Sequence, residues 1–85
     1  MQAFEQSAAM VREVLVPSRR LSNDQLLVLY GLYKQATVGD VSGSRPILDL
    51  KGGAKWDAWA ELRGLPAEAA REAYVAEVQS YVQSA

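Results

Sequence analysis

Cysteine and histidine are both absent from the 85-residue chain. Without cysteine there is neither a disulfide framework nor a thiolate zinc site, and the composition fits a reducing compartment. Without histidine the chain lacks the commonest metal ligand and the commonest general base together. Long apolar runs are missing too. The longest, Leu26 to Leu29 followed by Tyr30, falls far short of the ~20 residues that span a bilayer. Nor does one sign of charge dominate, because 9 basic and 10 acidic side chains leave a formal net charge of −1. A nucleic-acid binder normally carries a net basic balance or a concentrated basic block. The N-terminal Met1-Gln2-Ala3-Phe4-Glu5 has an early acid and no basic stretch, so it does not read as a signal peptide. These absences lead to the expectation of one cytoplasmic, monomeric domain over residues 1–85, with no metal, no nucleic-acid partner and no stable membrane insertion.

What the chain does contain is helical periodicity. Phe4, Ala8, Val11, Val14 and Leu15 follow the spacing of one helix face, predicting a first helix from about Gln2 to Leu15, ended by Pro17. Ser22-Asn23-Asp24-Gln25 has the form of a capping box, in which Ser22 accepts from the third helical N–H and Gln25 reaches back. The second helix then runs to about Val38, with Gly39 as the left-handed residue that closes it. From Asp40 to Asp49 turn formers dominate, and so long a connection points to a crossover or a functional surface. A third helix is expected over Lys51 to Arg63, stopped by Gly64. Pro66 sits in the first turn of a fourth that continues to about Gln83, with Ala70, Tyr74, Val78 and Tyr81 inward. No segment alternates with period two. The expectation is an all-α bundle of four helices.

The second helix carries more apolar surface than one core face requires. Residues 26–33 read Leu-Leu-Val-Leu-Tyr-Gly-Leu-Tyr, whereas a surface helix has three or four apolar positions per two turns. Either it is buried between neighbours or a second face lines a ligand site. Tyr30, Tyr33 and Lys34 share a face. Two phenols and an ammonium there could hold an anionic ligand, or equally the rings edge the core while Lys34 reaches water. Lys51-Gly52-Gly53-Ala54-Lys55 faintly resembles a phosphate loop, but the spacing is wrong and no strand precedes it. It reads more simply as a flexible entry to a helix. Trp56 and Trp59 are spaced for core packing, a reading retained for Trp59. Asp57 and Glu61 read as a solvated face, and no nucleophile is joined to a base. The chain is therefore not expected to be an enzyme.

Three stretches together resemble the acyl-CoA binding protein family. They are Leu29-Tyr30-Gly31-Leu32-Tyr33-Lys34-Gln35-Ala36-Thr37-Val38-Gly39-Asp40, Lys55-Trp56-Asp57-Ala58-Trp59 continuing to Gly64, and Ala73-Tyr74 followed by Val78. The resemblance covers nearly the whole chain. It implies a four-helix up-down-down-up bundle with a shallow bowl for medium- to long-chain fatty acyl-CoA, acting as a carrier with no cofactor. By the same resemblance the ligand contacts fall on Arg12, Tyr30, Tyr33, Lys34, Lys55 and Tyr74. Tyr30, Lys34 and Lys55 would hold the nucleotide 3′-phosphate, and Tyr33 and Tyr74 would line the adenine and the region nearer the thioester. Arg12 stands where lysine is usual, which alters the geometry of phosphate contact.

The chain departs from the family pattern at several places. Gly53 replaces a second lysine, and Arg45-Pro46-Ile47 replaces Arg-Pro-Gly in a loop one residue shorter. The connection carrying Arg19 and Arg20 is longer, and Leu65-Pro66 opens the fourth helix where a capping serine or threonine is common. A competing reading is a helical protein-interaction module that kept the fold without ligand binding. Retention of Tyr30, Lys34, Lys55 and Tyr74 favours the carrier. An acyl-CoA thioesterase or transferase is disfavoured by the missing histidine and cysteine.

Overall fold

The computed structural model describes residues 2–84. The helices are α1 (Gln2–Met10), α2 (Asn23–Thr37), α3 (Leu50–Ala60) and α4 (Ala67–Ser84). There is no strand among the described residues, and no helix there is long and apolar enough to cross a membrane.

Past Met10 the first helix widens into a π-helical segment over Val11–Leu15, where Val16 N–H donates to the Val11 carbonyl at 2.9 Å. A π turn holds more residues than an α turn. It therefore rotates Val14 away from the core face and swings Leu15 onto it. Val14, expected inside, is 47% exposed, while Leu15 is buried. Pro17 does not stop the chain abruptly either. Val16 keeps helical angles, Ser18 Oγ donates to the Leu15 carbonyl at 3.1 Å, and the turn closes at Arg19 with φ 57°.

The start of α2 is the capping box the sequence predicts. Gln25 N–H donates to Ser22 Oγ at 3.1 Å, and Ser22 N–H donates to Gln25 Oε1 at 2.9 Å. Gly39, with φ 99°, follows the helix end as expected. The third helix is shorter than its apolar pattern suggests. After Ala60 the bonds tighten to i−3, with Leu62 N–H on Trp59 and Arg63 N–H on Ala60, and Gly64 turns the chain at φ 91°. Pro66 lies just ahead of α4, not within its first turn, and its carbonyl accepts from Ala70 at 3.0 Å.

Residue pairs set the helix directions. Tyr30 meets Lys55 and Lys34 meets Trp59, so α2 and α3 run parallel, as the long 40–49 crossover permits. Gln35, late in α2, bonds to Leu65 just before α4, while Val28, one helical stretch earlier, shares a cleft with Glu77. Hence α2 and α4 are antiparallel. Phe4 meets Tyr74, and Met10 shares a cleft with Val82, making α1 parallel to α4. The result is up-down-down-up. Phe4, Leu15, Leu29, Leu32, Ala36, Ala70, Tyr74 and Val78 form the core.

One contact sets the spacing of α2 and α3. A Cβ on Gly31 would lie 2.6 Å from the Ala58 carbonyl oxygen, so only glycine permits this approach. The close passage brings the aromatic and cationic side chains of the two helices into register.

Candidate ligand-binding cleft

Parallel helices one residue deep in contact generate two rungs. Lys55 Nζ lies 5.4 Å from the Tyr30 ring centroid, and Lys34 Nζ lies 4.9 Å from that of Trp59. Each helix contributes one cation and one ring, in alternating order. Cation–π contacts of this kind hold a flexible ammonium in place at modest cost in hydration. Trp59 is itself anchored, its Nε1–H donating to the Gly39 carbonyl at 2.7 Å. Tyr30, Lys34 and Lys55 are thus gathered as the sequence reading expects, and buried Trp59 serves them as a platform beyond its core role.

Beside the Tyr30–Lys55 rung opens a cleft of about 380 Å³, lined by Asn23, Leu26, Leu27, Tyr30, Leu50, Lys51, Ala54 and Lys55. Tyr30 and Lys55 mark one end, Asn23 and Lys51 lie toward the other, and the walls between them are Leu26, Leu27, Leu50 and Ala54. This is the second face of α2 that accounts for its excess apolar surface. The sequence does not single out Leu26, Leu27, Leu50 and Ala54 as site residues; the apolar run of α2 points only to Leu26 and Leu27, and Leu50 and Ala54 join them because α3 packs alongside.

Tyr33 and Tyr74 belong to a second cluster, built on Phe4. Phe4 stacks on Tyr33 with centroids 5.7 Å apart and meets Tyr74 edge-on at 5.2 Å, while the two tyrosines lie 6.0 Å apart. Tyr33 is 42% exposed and Tyr74 only 3%. Burial pushes the Tyr74 phenol above its ordinary value, nearby Tyr33 adds to this, and Arg12 partly opposes it. Arg12 is thus close enough to act on Tyr74 electrostatically. Its guanidinium is solvent-exposed and pairs with neighbouring Glu13 at 3.3 Å. The structure does not bring Arg12 to either lysine rung.

The entry to α3 differs from the flexible segment expected. Gly52 and Gly53 lie within the helix, and Asp49 caps it, accepting from Gly52 N–H at 3.0 Å. That carboxylate occupies the helix N-terminus where a phosphate could otherwise sit. Gly53 has a packing reason. A Cβ there would lie 3.0 Å from the Arg45 guanidinium, which rests on the glycine and binds Asp57 through two hydrogen bonds of 2.8 and 2.9 Å. Asp57, read as solvated, therefore ties the crossover loop to α3. The bond from Arg45 holds its carboxyl below the usual range.

At the other end of α2, Gln35 Nε2 donates to Asp40 Oδ1 at 2.8 Å and to the Leu65 carbonyl at 2.9 Å. Gly64 N–H also donates to Asp40 Oδ1, at 2.8 Å. This network joins the end of α2 to the turn between α3 and α4. It gives Gln35 and Asp40, which the motif comparison left without a role, a structural one. Among the described residues no cluster of carboxylates could hold a metal ion.

Fold and site define a small up-down-down-up helical bundle with an apolar cleft, marked at one end by two lysine–aromatic pairs. Residues 1–78 match the family model described as acyl-CoA binding protein. The chain is 46% identical over 81 residues to acyl-CoA-binding protein homolog 1 of Caenorhabditis elegans, covering 94% of this chain and 91% of that one. It is 44% identical over 79 residues to the Drosophila melanogaster homolog, covering 92% of each. The crystal structure of Oryza sativa acyl-CoA-binding protein 2 superposes with a TM-score of 0.85 at 38% identity, covering 98% of this chain and 90% of that one. The chain belongs to the acyl-CoA binding protein family.

Proposed function

We propose that this protein is a non-enzymatic, cytoplasmic, monomeric carrier and buffer of medium- to long-chain fatty acyl-CoA. The observation that carries this reading is the pair of lysine–aromatic rungs set against one end of an apolar cleft. A fatty acyl-CoA has the same polarity, with a multiply charged nucleotide joined to an alkyl chain. Lys34 and Lys55 supply charge-assisted hydrogen bonds to the 3′-phosphate, with the Tyr30 hydroxyl as a third donor. Leaving a ring face for a phosphate lets each lysine exchange a weaker partner for a stronger one. Tyr33, exposed above Phe4, offers a surface for adenine, and buried Tyr74 supports that surface from below. Arg12 adds long-range attraction for the anion without a fixed contact. The acyl chain enters the cleft between α2 and α3 along Leu26, Leu27, Leu50 and Ala54.

Calorimetric titration with hexadecanoyl-CoA, free coenzyme A and free hexadecanoate tests this. The thioester is expected to bind at least about tenfold more tightly than either half, since each half forfeits one set of contacts. Equal binding of hexadecanoyl-CoA and coenzyme A would refute the assignment of the apolar cleft.

A further inference from the structure

A second groove, of about 600 Å³, also runs along α2. It exists because α3 and α4 each pack on α2 and scarcely on each other. Its floor is apolar, with Leu27, Val28 and Leu32 from α2, Ala58 and Leu62 from α3 and the turn after it, and Ala73 from α4. Val28 is 43% exposed there and faces neither the core nor the acyl cleft. The groove shares the Leu27 and Ala54 walls with that cleft but none of its polar residues. From Asp24 to Leu32 it extends roughly 12 Å, just over two helical turns.

The rim carries one sign of charge. Asp24, Asp57, Glu61 and Glu77 stand around it, four of the chain's 10 carboxylates, and none of the 9 cations lines it. Arg45 neutralises Asp57, and Glu77 accepts from the Tyr81 hydroxyl. Asp24 and Glu61 are exposed and form no ion pair among the described residues. Asp24 has a local reason, since a carboxylate in the first turn of α2 complements the helix dipole. Glu61 has none. It caps the C-terminal end of α3, whose last turn holds no basic residue, and there dipole and carboxylate repel. A charge that its own helix disfavours, on the rim of an apolar groove, points to a cation supplied from outside.

We propose that this groove receives a basic amphipathic helix of a partner protein. The apolar stripe of that helix lies on Val28, Leu32 and Leu62, and its lysines or arginines stand beside Glu61 and Asp24. Two turns of such a helix present three or four apolar side chains to a groove of this length. An acidic rim repels anionic headgroups and nucleic-acid phosphates alike. The carboxylates do not converge either, since no group among the described residues could hold a metal ion. A second copy of this chain fits poorly, because none of its four helices carries more than two cations. The proposal stands apart from the carrier reading, as groove and acyl cleft keep separate polar residues.

The test uses the full chain and a fluorescent synthetic peptide of about 15 residues, long enough to be helical once bound. Its leucines recur at i, i+3, i+4 and i+7 and lysines fill its other face. Saturable one-to-one binding, read by anisotropy, is expected and should weaken as salt is raised. A peptide of the same composition with scattered leucines should bind at least about tenfold less well, and so should one with glutamate for lysine. Val28→Lys should weaken the striped peptide by about tenfold or more, through a lost apolar contact and an added like charge. Glu61→Gln should weaken it by about threefold, the scale of one exposed ion pair. It should not lower the thermal midpoint, because it removes a charge that the α3 dipole opposes. Neither residue lines the acyl cleft, so both variants should bind hexadecanoyl-CoA like the wild type, and hexadecanoyl-CoA should not displace the peptide. Equal binding of the scattered peptide, or unchanged binding by Val28→Lys, overturns the proposal. Displacement by hexadecanoyl-CoA does the same by placing the peptide in the acyl cleft. A lower midpoint in Glu61→Gln would make that carboxylate structural. A dimer in sedimentation that Val28→Lys abolishes would make a second copy the occupant, and either result refutes the inference.

Discussion

Lys55, on α3, holds its ammonium 5.4 Å from the ring of Tyr30, on α2, and so bridges the two helices at one end of the cleft. The contact is exposed and therefore weak in the free protein. It positions a cation without committing it. Lys55→Ala should leave helicity and thermal midpoint almost unchanged while weakening hexadecanoyl-CoA by about tenfold or more, the scale of one charge-assisted bond. Lys34→Ala should behave alike, because Lys34 occupies the equivalent rung over Trp59. Calorimetry for affinity and circular dichroism for folding separate the two effects. Collapse of the fold in either variant would show these lysines to be structural.

Gly31 tests the helix spacing on which both rungs depend. Alanine there gains about 1 kcal/mol of helix propensity. Its Cβ would nevertheless press on the Ala58 carbonyl oxygen and carbon, at 2.6 and 3.0 Å, which are backbone atoms and cannot rotate aside. Overpacking of this kind costs about 1–3 kcal/mol. Gly31→Ala should therefore lower stability in urea and weaken the ligand as well, by parting α2 from α3. A stabilised variant would mean that the helices can separate freely.

Acid should act through Asp40. The Gly64 N–H, the Gln35 amide and, more weakly, Arg63 hold its carboxyl below the ordinary value of 3.8, against a smaller opposing effect of burial. A carboxyl depressed in the folded state contributes stability above its unfolded pKa. That contribution disappears as pH falls through the folded value, so the window lies below 3.8. Asp57, lowered by Arg45, adds to the same slope. Asp40→Asn should flatten part of the acid limb of a stability–pH curve and lower the plateau at neutral pH. Gln35→Ala should cost about 2 kcal/mol at neutral pH and less in acid, since it leaves the Leu65 carbonyl and the Asp40 carboxylate without that donor and opens a gap. An acid limb unchanged in Asp40→Asn would exclude this network as its origin.

Local signals were readable without coordinates, and cross-helix relations were not. Ser22 and Gln25 lie three residues apart, and Gly39 and Gly64 each follow a helical run, so chain neighbours alone announce cap and stop. Trp59 reads as buried from its spacing and is buried. By contrast, the π segment over Val11–Leu15 leaves the apolar pattern nearly intact, and nothing local announces it. Gln35 and Leu65 are thirty positions apart, and Gly53 and Arg45 meet only because the crossover folds back on α3. The site divides in the same way. Tyr30, Tyr33 and Lys34 share a face by their spacing and Lys55 joins them through motif resemblance, but the alternation of rings and cations across two parallel helices follows from the Gly31–Ala58 contact. Leu26 and Leu27 were visible only as surplus hydrophobicity until α3 supplied the opposite wall.

That wall makes a quantitative prediction about chain length. The cleft runs along α2 from Tyr30 to Asn23, a span of roughly 10 Å at 1.5 Å per residue. Each methylene buried there contributes at most ~0.8 kcal/mol, so two additional carbons should tighten binding by up to about tenfold. Once the chain passes Asn23, further carbons meet water and the affinity should level off. Leu27→Ala removes wall area beneath the middle of the chain. It should weaken long acyl-CoA esters more than short ones and leave free coenzyme A unaffected. Titration of a butanoyl-to-octadecanoyl series against both proteins gives the two slopes. A uniform loss across the series would place Leu27 in the folding core alone, and a constant affinity in the wild type would remove the cleft from the binding site.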